Sequence, residues 1–180
     1  MLFRRRRDTV QRLYESVLAQ ARNPRFYGAG WVADTVDGRF ELLALHMTLA
    51  VRGLQAGGPK GQALAQDLFD AFVRDMDASL RELGTSDARF GKRMRHIVEA
   101  FYGRAKAYGE ALDKAPDGAP SEGEDAALRE ALARNLFGGA AQQETLDRMA
   151  AYCRAASAML AARPVDSWCD GTALFPAESA

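Results

Sequence analysis

The chain has 180 residues, 48% hydrophobic and 27% charged, and its 24 Lys+Arg balance 24 Asp+Glu. That length suffices for one domain with a real core, and a net charge of zero excludes a global field that would recruit nucleic acid or an acidic substrate. The two cysteines, Cys153 and Cys169, stand in no CxxC arrangement, which argues against a disulfide framework, a zinc cluster or a c-type haem attachment site.

The chain opens on a small apolar tip, Met1-Leu2-Phe3, followed by Arg4, Arg5, Arg6 and Arg7. Phe3 and these arginines are a candidate contact for anionic lipid, at about 1 kcal/mol per basic residue near a surface, or for ribosomal RNA. The plainer alternative is a frayed, solvated helix start. No apolar run follows the arginines, so no signal peptide is expected. A helix with Val10, Leu13, Tyr14, Val17, Leu18 and Ala21 on one face then stops at Asn23-Pro24.

Residues 25–38 form a glycine-rich connector with Phe26, Tyr27 and Trp31. Gly28-x-Gly30-x-x-Ala33 superficially fits a dinucleotide fingerprint, but that motif needs a strand before it and a helix after it. Here a proline-ended helix precedes it, so the connector reads as a loop whose aromatics plug the bundle. The next helix carries Leu42, Leu45, His46 and Leu49 on one broad face with Leu43, Met47, Ala50 and Leu54 beside them, a width that predicts burial on most sides. A lone histidine in such a helix reads as a core residue hydrogen-bonded to a neighbour. Its longest uncharged stretch, Leu42 to Val51, falls short of the roughly 18–20 residues a membrane span needs. Gly57-Gly58-Pro59 closes this helix, with Pro59 suited to the first turn of the next.

Residues 62–112 predict two long amphipathic helices around one short turn, packed antiparallel. Leu64, Leu68, Phe72, Met76, Leu80 and Leu83 stripe the first; Phe90, Met94, Ile97, Val98, Phe101, Ala105, Tyr108 and Leu112 stripe the second. Gly84 suits the left-handed end of the first, and Thr85 or Ser86 can cap the second. Asp67, Asp70, Arg74 and Asp77 share one face. Without a Glu-x-x-His motif and with Arg74 in the row, they read as a solvated, ion-paired face rather than a metal site. In the second helix Gly91, Gly103 and Gly109 each cost about 1 kcal/mol relative to alanine, and such glycines predict a close approach by another backbone or bulky side chain. Phe101-Tyr102-Gly103-Arg104 thus reads as a contact point, within the bundle or to another protein. Lys92, Arg93 and Arg95 make this helix basic, with His96 among them.

Residues 115–123 are a Pro/Gly/Ser/acid linker. Beyond it a short helix with Leu128, Leu132 and Leu136 ends at Gly138-Gly139, and a last helix over about 142–162 turns Leu146, Met149, Ala150, Cys153, Ser157 and Leu160 inward. The tail from Val165 either docks Trp168, Leu174 and Phe175 on the bundle or stays mobile. The expected fold is all-α: one bundle of about six helices around the central antiparallel hairpin. Its parts are a basic tip and first helix (1–25), a core (26–114), the linker (115–123), a C-terminal helical hairpin on the core (124–164) and a tail (165–180). No GxSxG, HExxH or phosphate-loop motif is present, so the balance falls on binding rather than catalysis, with no metal and no cofactor.

FDAFVRDMDASLRELG, followed by GKRM and AFYGRAKAY, resembles the signature of the ubiquinol–cytochrome c chaperone family. The resemblance runs from near Phe26 to Leu112, and the segment after Ala115 adds little to it. It implies an assembly chaperone, not an enzyme, that binds newly made cytochrome b for the cytochrome bc1 complex, peripheral to the cytoplasmic face of the inner membrane. The Arg4–Arg7 cluster adds the membrane surface or the ribosome as a partner, and the resemblance adds a small helper subunit; DNA is not expected. The candidate client contacts are Phe101, Tyr102, Arg104, Tyr108, Arg74, Asp70, Asp77 and Trp31. A lipid or quinone held in an apolar cavity of the bundle is the alternative.

Overall fold

The computed structural model describes residues 2–28, 31–82, 84, 87–114, 122–169 and 174–175. Among the described residues six helices follow in order: α1 (Leu2–Ala21), α2 (Val36–Gln55), α3 (Gly58–Glu82), α4 (Asp87–Asp113), α5 (Glu122–Leu136) and α6 (Gln143–Ala161). Short 3-10 turns lie at Pro24–Phe26 and Val165–Cys169. The Asn23 side chain accepts from the Arg25 amide and Pro24 opens the turn, so α1 ends where the sequence predicts. Thr35 Oγ1 accepts from the Gly38 amide at 3.1 Å and starts α2. Gly84 takes φ +68° after α3, and Gly138 and Gly139 take +58° and +85° after α5. Pro59 occupies the first turn of α3. Thr85 and Ser86, offered as the cap of α4, lie outside the described residues, as do Gly30 and residues 115–121.

Helix α2 is wrapped by α1, α3, α4, α5 and α6, and every residue from Leu42 to Ala50 is buried. The predicted hairpin is present and antiparallel: Phe72 meets Phe101, Phe69 meets Tyr102, and Arg81 lies over Phe90. Its two helices nevertheless meet each other more sparsely than each meets α2. The hairpin stripes face the apolar helix between them, because α2 offers apolar surface on nearly all sides.

Glycines allow the tightest approaches to α2. A Cβ on Gly53 would stand 2.7 Å from Leu160 Cβ and 3.0 Å from the Trp168 ring, and one on Gly61 would run into the Leu54 carbonyl. Of the α4 glycines, Gly109 has the bulky side-chain neighbour that the sequence predicts, and Gly91 and Gly103 do not. A Cβ on Gly91 or Gly103 would meet nothing within 4 Å, and one on Gly109 would meet only the Arg52 guanidinium, at 3.1 Å. Gly91 and Gly103 face outward, and no neighbour among the described residues explains them.

The tail docks, as one of its two readings held. Trp168, Leu174 and Phe175 are buried, and Phe175 packs edge-on to His46 with centroids 5.1 Å apart. His46 is a core residue: Nδ1 donates to the Leu42 carbonyl at 2.7 Å, and Nε2 accepts from the Tyr152 hydroxyl at 2.8 Å. Gln20 in turn donates to that hydroxyl at 3.0 Å, which closes a satisfied polar chain inside the core. Burial holds the imidazole near a pKa of about 4, so it is neutral at pH 7. Cys153 is free and buried, its thiol pushed up to about 12 by desolvation, which leaves it inert.

Candidate functional site

Four helix segments meet at one end of the bundle: the C-terminal turn of α1, the first turns of α2, the last turns of α3 and the middle of α4. They enclose a surface groove of about 640 Å³. Leu18, Phe40, Leu43, Met76, Leu80 and Ile97 supply most of its apolar wall. Its mouth opens beside Val36, a large aliphatic residue left 78% exposed.

The groove floor holds charge that is already paired. The Arg104 guanidinium grips the Glu41 carboxylate with two parallel hydrogen bonds, Nε to Oε2 and Nη2 to Oε1. Arg104 also donates to the Ala100 carbonyl at 3.0 Å and lies 5.5 Å from the centroid of the Phe40 ring. The carboxylate raises the arginine further above its usual range, against the cost of burial. Behind the α3 wall, the Tyr14 hydroxyl donates to Asp75 at 2.7 Å; desolvation and that carboxylate push the phenol far above its ordinary value. Arg22, Asp37 and His96 stand on the rim.

The sequence-derived candidates scatter relative to this groove. Arg104 is in it. Phe101 and Tyr108 are core residues, stacked among Phe69 and Phe72 or fully buried, and a client cannot reach them without unfolding α4. Tyr102 points the other way from Arg104, since helical positions two apart diverge by roughly 200°; it rests on Phe69 and is 57% exposed. Asp70 accepts from Gln66 at 2.8 Å and Asp77 pairs with Arg81 at 2.8 Å, with Arg74 exposed between them. That row is a solvated face stitched at i,i+4 spacing. Trp31 lies elsewhere, half-buried in a second cleft of about 510 Å³ at the α5–α6 turn, with Arg148 over its ring at 4.9 Å. The side chains of Phe3, Arg4, Arg5 and Arg6 lie outside the described residues, while Arg7 is exposed. Among the described residues, no group of three or more His, Cys, Asp or Glu is placed to hold a metal ion.

Sequence reasoning missed Glu41, Asp75 and Val36. Glu41 is the last acid before the apolar run Leu42–Val51, and Arg104 stands 63 positions away. A lone acid at the edge of an apolar face was the available signal.

An all-α bundle with an apolar surface groove over a self-paired ionic floor is the class of protein that the fold and the groove define. The sequence pattern of the ubiquinol-cytochrome C chaperone family matches residues 30–175. The crystal structure of the Cbp3 homolog from Brucella abortus superimposes with a TM-score of 0.81 at 37% sequence identity, covering 97% of this chain and 94% of that one. No curated protein matches the sequence. The chain belongs to the ubiquinol–cytochrome c chaperone family. Membership reaches well past Leu112, so α5, α6 and the docked tail are part of the family fold, contrary to the narrower reach read from the motifs. They carry fewer unusual residues, which is why the eye stops at α4. Among the described residues, no helix is long and apolar enough to cross a membrane.

Proposed function

We propose that this protein is an assembly chaperone that holds newly synthesised cytochrome b for the bc1 complex (respiratory complex III), at the cytoplasmic face of the inner membrane. The observation that carries the reading is the groove between α1, α2, α3 and α4. An apolar helix of a membrane protein needs apolar cover before its partners arrive. Leu43, Met76, Leu80 and Ile97 can supply that cover in helix-in-groove fashion, taking anchors at i, i+3 or i+4, and i+7. Because Arg104 and Glu41 satisfy each other, an apolar occupant strands no charge on the groove floor.

The test is affinity capture of tagged protein from host membranes, cross-linked before lysis. Cytochrome b is expected to be enriched over other membrane proteins, and a deletion strain is expected to lose bc1 activity. Capture without cytochrome b, from a strain whose bc1 complex assembles normally, would remove the proposal.

A further inference from the structure

The surface of α4 changes character along its length. In its C-terminal half the charges are answered: Lys106 faces Glu110, Arg104 holds Glu41, and Asp113 pairs with Arg52. Residues 88–98 contain four cations and His96 but no acid. Arg89, Lys92, Arg93 and His96 fall at i, i+3, i+4 and i+7, one stripe on an exposed face, with Arg95 alongside. Like charges at that spacing weaken a helix rather than support it. Among the described residues, Arg89, Lys92 and Arg95 have no ion-pair partner. Phe90, Met94 and Val98 lie between the stripe and the core, half-buried.

This stripe borders the groove, since His96 and Ile97 line it. It also lies at the opposite end of the bundle from Arg4–Arg7. The C-terminal turn of α1 reaches the groove, and the 20-residue α1 sets its basic N-terminus about 30 Å away. A cationic rim is a poor match for the cytoplasmic flanks of a membrane-protein client, which carry an excess of Lys and Arg. It is a good match for a flat layer of phosphate. A basic helix face above partly exposed apolar side chains is also the pattern of segments that lie on membranes. Nucleic acid fits less well, because the stripe has no exposed aromatic platform for bases; Phe90 is covered by Arg81, 4.4 Å from its ring centroid.

We propose that the Arg89–His96 stripe of α4 docks on an anionic phospholipid surface and so sets the mouth of the groove against the bilayer. The stripe does not depend on the identity of the client, so the two proposals can fail separately.

Vesicle flotation of the full chain tests it, with phosphatidylcholine alone and with added phosphatidylglycerol. Binding is expected only to the anionic vesicles and is expected to fall as salt is added. Arg89→Gln, Lys92→Gln and Arg95→Gln together are expected to weaken it roughly a hundredfold, with the circular dichroism unchanged. Changing Arg4–Arg7 to glutamine is expected to cost less. A fluorophore on His96→Cys, on the stripe itself and in a Cys169→Ser background that keeps every Lys and Arg, is expected to shift its emission on anionic vesicles. Equal binding to neutral vesicles, an intact triple variant, an unmoved fluorophore, or loss confined to the Arg4–Arg7 variant would each overturn the proposal. Capture of structured RNA without vesicle binding would assign the stripe to nucleic acid instead.

Discussion

In α2, Gly53 lies so close to Leu160 and Trp168 that a methyl group would collide with both; in α4, a methyl on Gly91 or Gly103 would touch nothing. The same residue type in the same kind of element thus marks two opposite surroundings. Around α2 the bundle is finished: five helices and the docked Trp168 and Phe175 leave no room, and even His46 has both ring nitrogens bonded. Along α4 the outer face is open, and at Gly91 and Gly103 the helix carries a cost that no neighbour among the described residues offsets. The difference separates the part of the chain that holds the fold from the part available to something else.

The largest effect should come from closing the space at Gly53. Gly53→Ala is expected to destabilise by about 3 kcal/mol, since Leu160 meets the new methyl through its own Cβ and cannot rotate away; urea unfolding measures it. An unchanged midpoint would mean that α6 and the tail sit more loosely on α2 than described.

Next is the buried histidine. The folded pKa of His46 is lowered to about 4, against an unfolded value of about 6.5. Its neutral form stabilises the native state above pH 6.5, and that stability is lost as pH falls through the interval toward 4, because only the unfolded chain takes up the proton there. Between pH 7 and pH 5 the loss from this group should be about 2 kcal/mol. His46→Phe should flatten this part of the pH dependence, read from unfolding midpoints at each pH.

The ionic link between the two regions comes third. Glu41→Gln leaves the half-buried Arg104 without its carboxylate and is expected to cost about 1.5 kcal/mol, below the value for a fully buried pair because both side chains keep some contact with water. A double-mutant cycle with Arg104→Gln isolates the coupling. Smallest, and opposite in sign, is Gly103→Ala: with open space at its Cβ, it should stabilise by about 1 kcal/mol. A loss at Gly103 would place a neighbour where the structure shows none.

Much of this was legible in the sequence, and particular residues show why. Asn23-Pro24, Pro59, Gly84 and Gly138-Gly139 punctuate the chain by local chemistry, and the helices end where those residues stand. The breadth of the apolar face around His46 announced the burial of α2. The stripes of the hairpin identify which faces are apolar but not what covers them, so the centre of the bundle falls on α2 only once its neighbours are placed. Glycine spacing carries the same ambiguity: it leaves open a neighbour inside the bundle or in another protein, and at Gly91 and Gly103 none is found among the described residues. Tyr14 with Asp75 and Glu41 with Arg104 are pairs separated by 61 and 63 positions, and no local pattern joins them. Tyr102 and Arg104 stand two apart in one motif, yet one faces solvent and the other the groove.

On the proposed function, the groove end should receive the client and the closed end should not. A photoreactive amino acid at Val36, 78% exposed at the groove mouth, should form an adduct with cytochrome b in its host membranes. The same probe at Met159, 37% exposed on α6 beside the Gly53 contact, should not. Adducts from Met159 alone, or equally from both positions, would contradict the account.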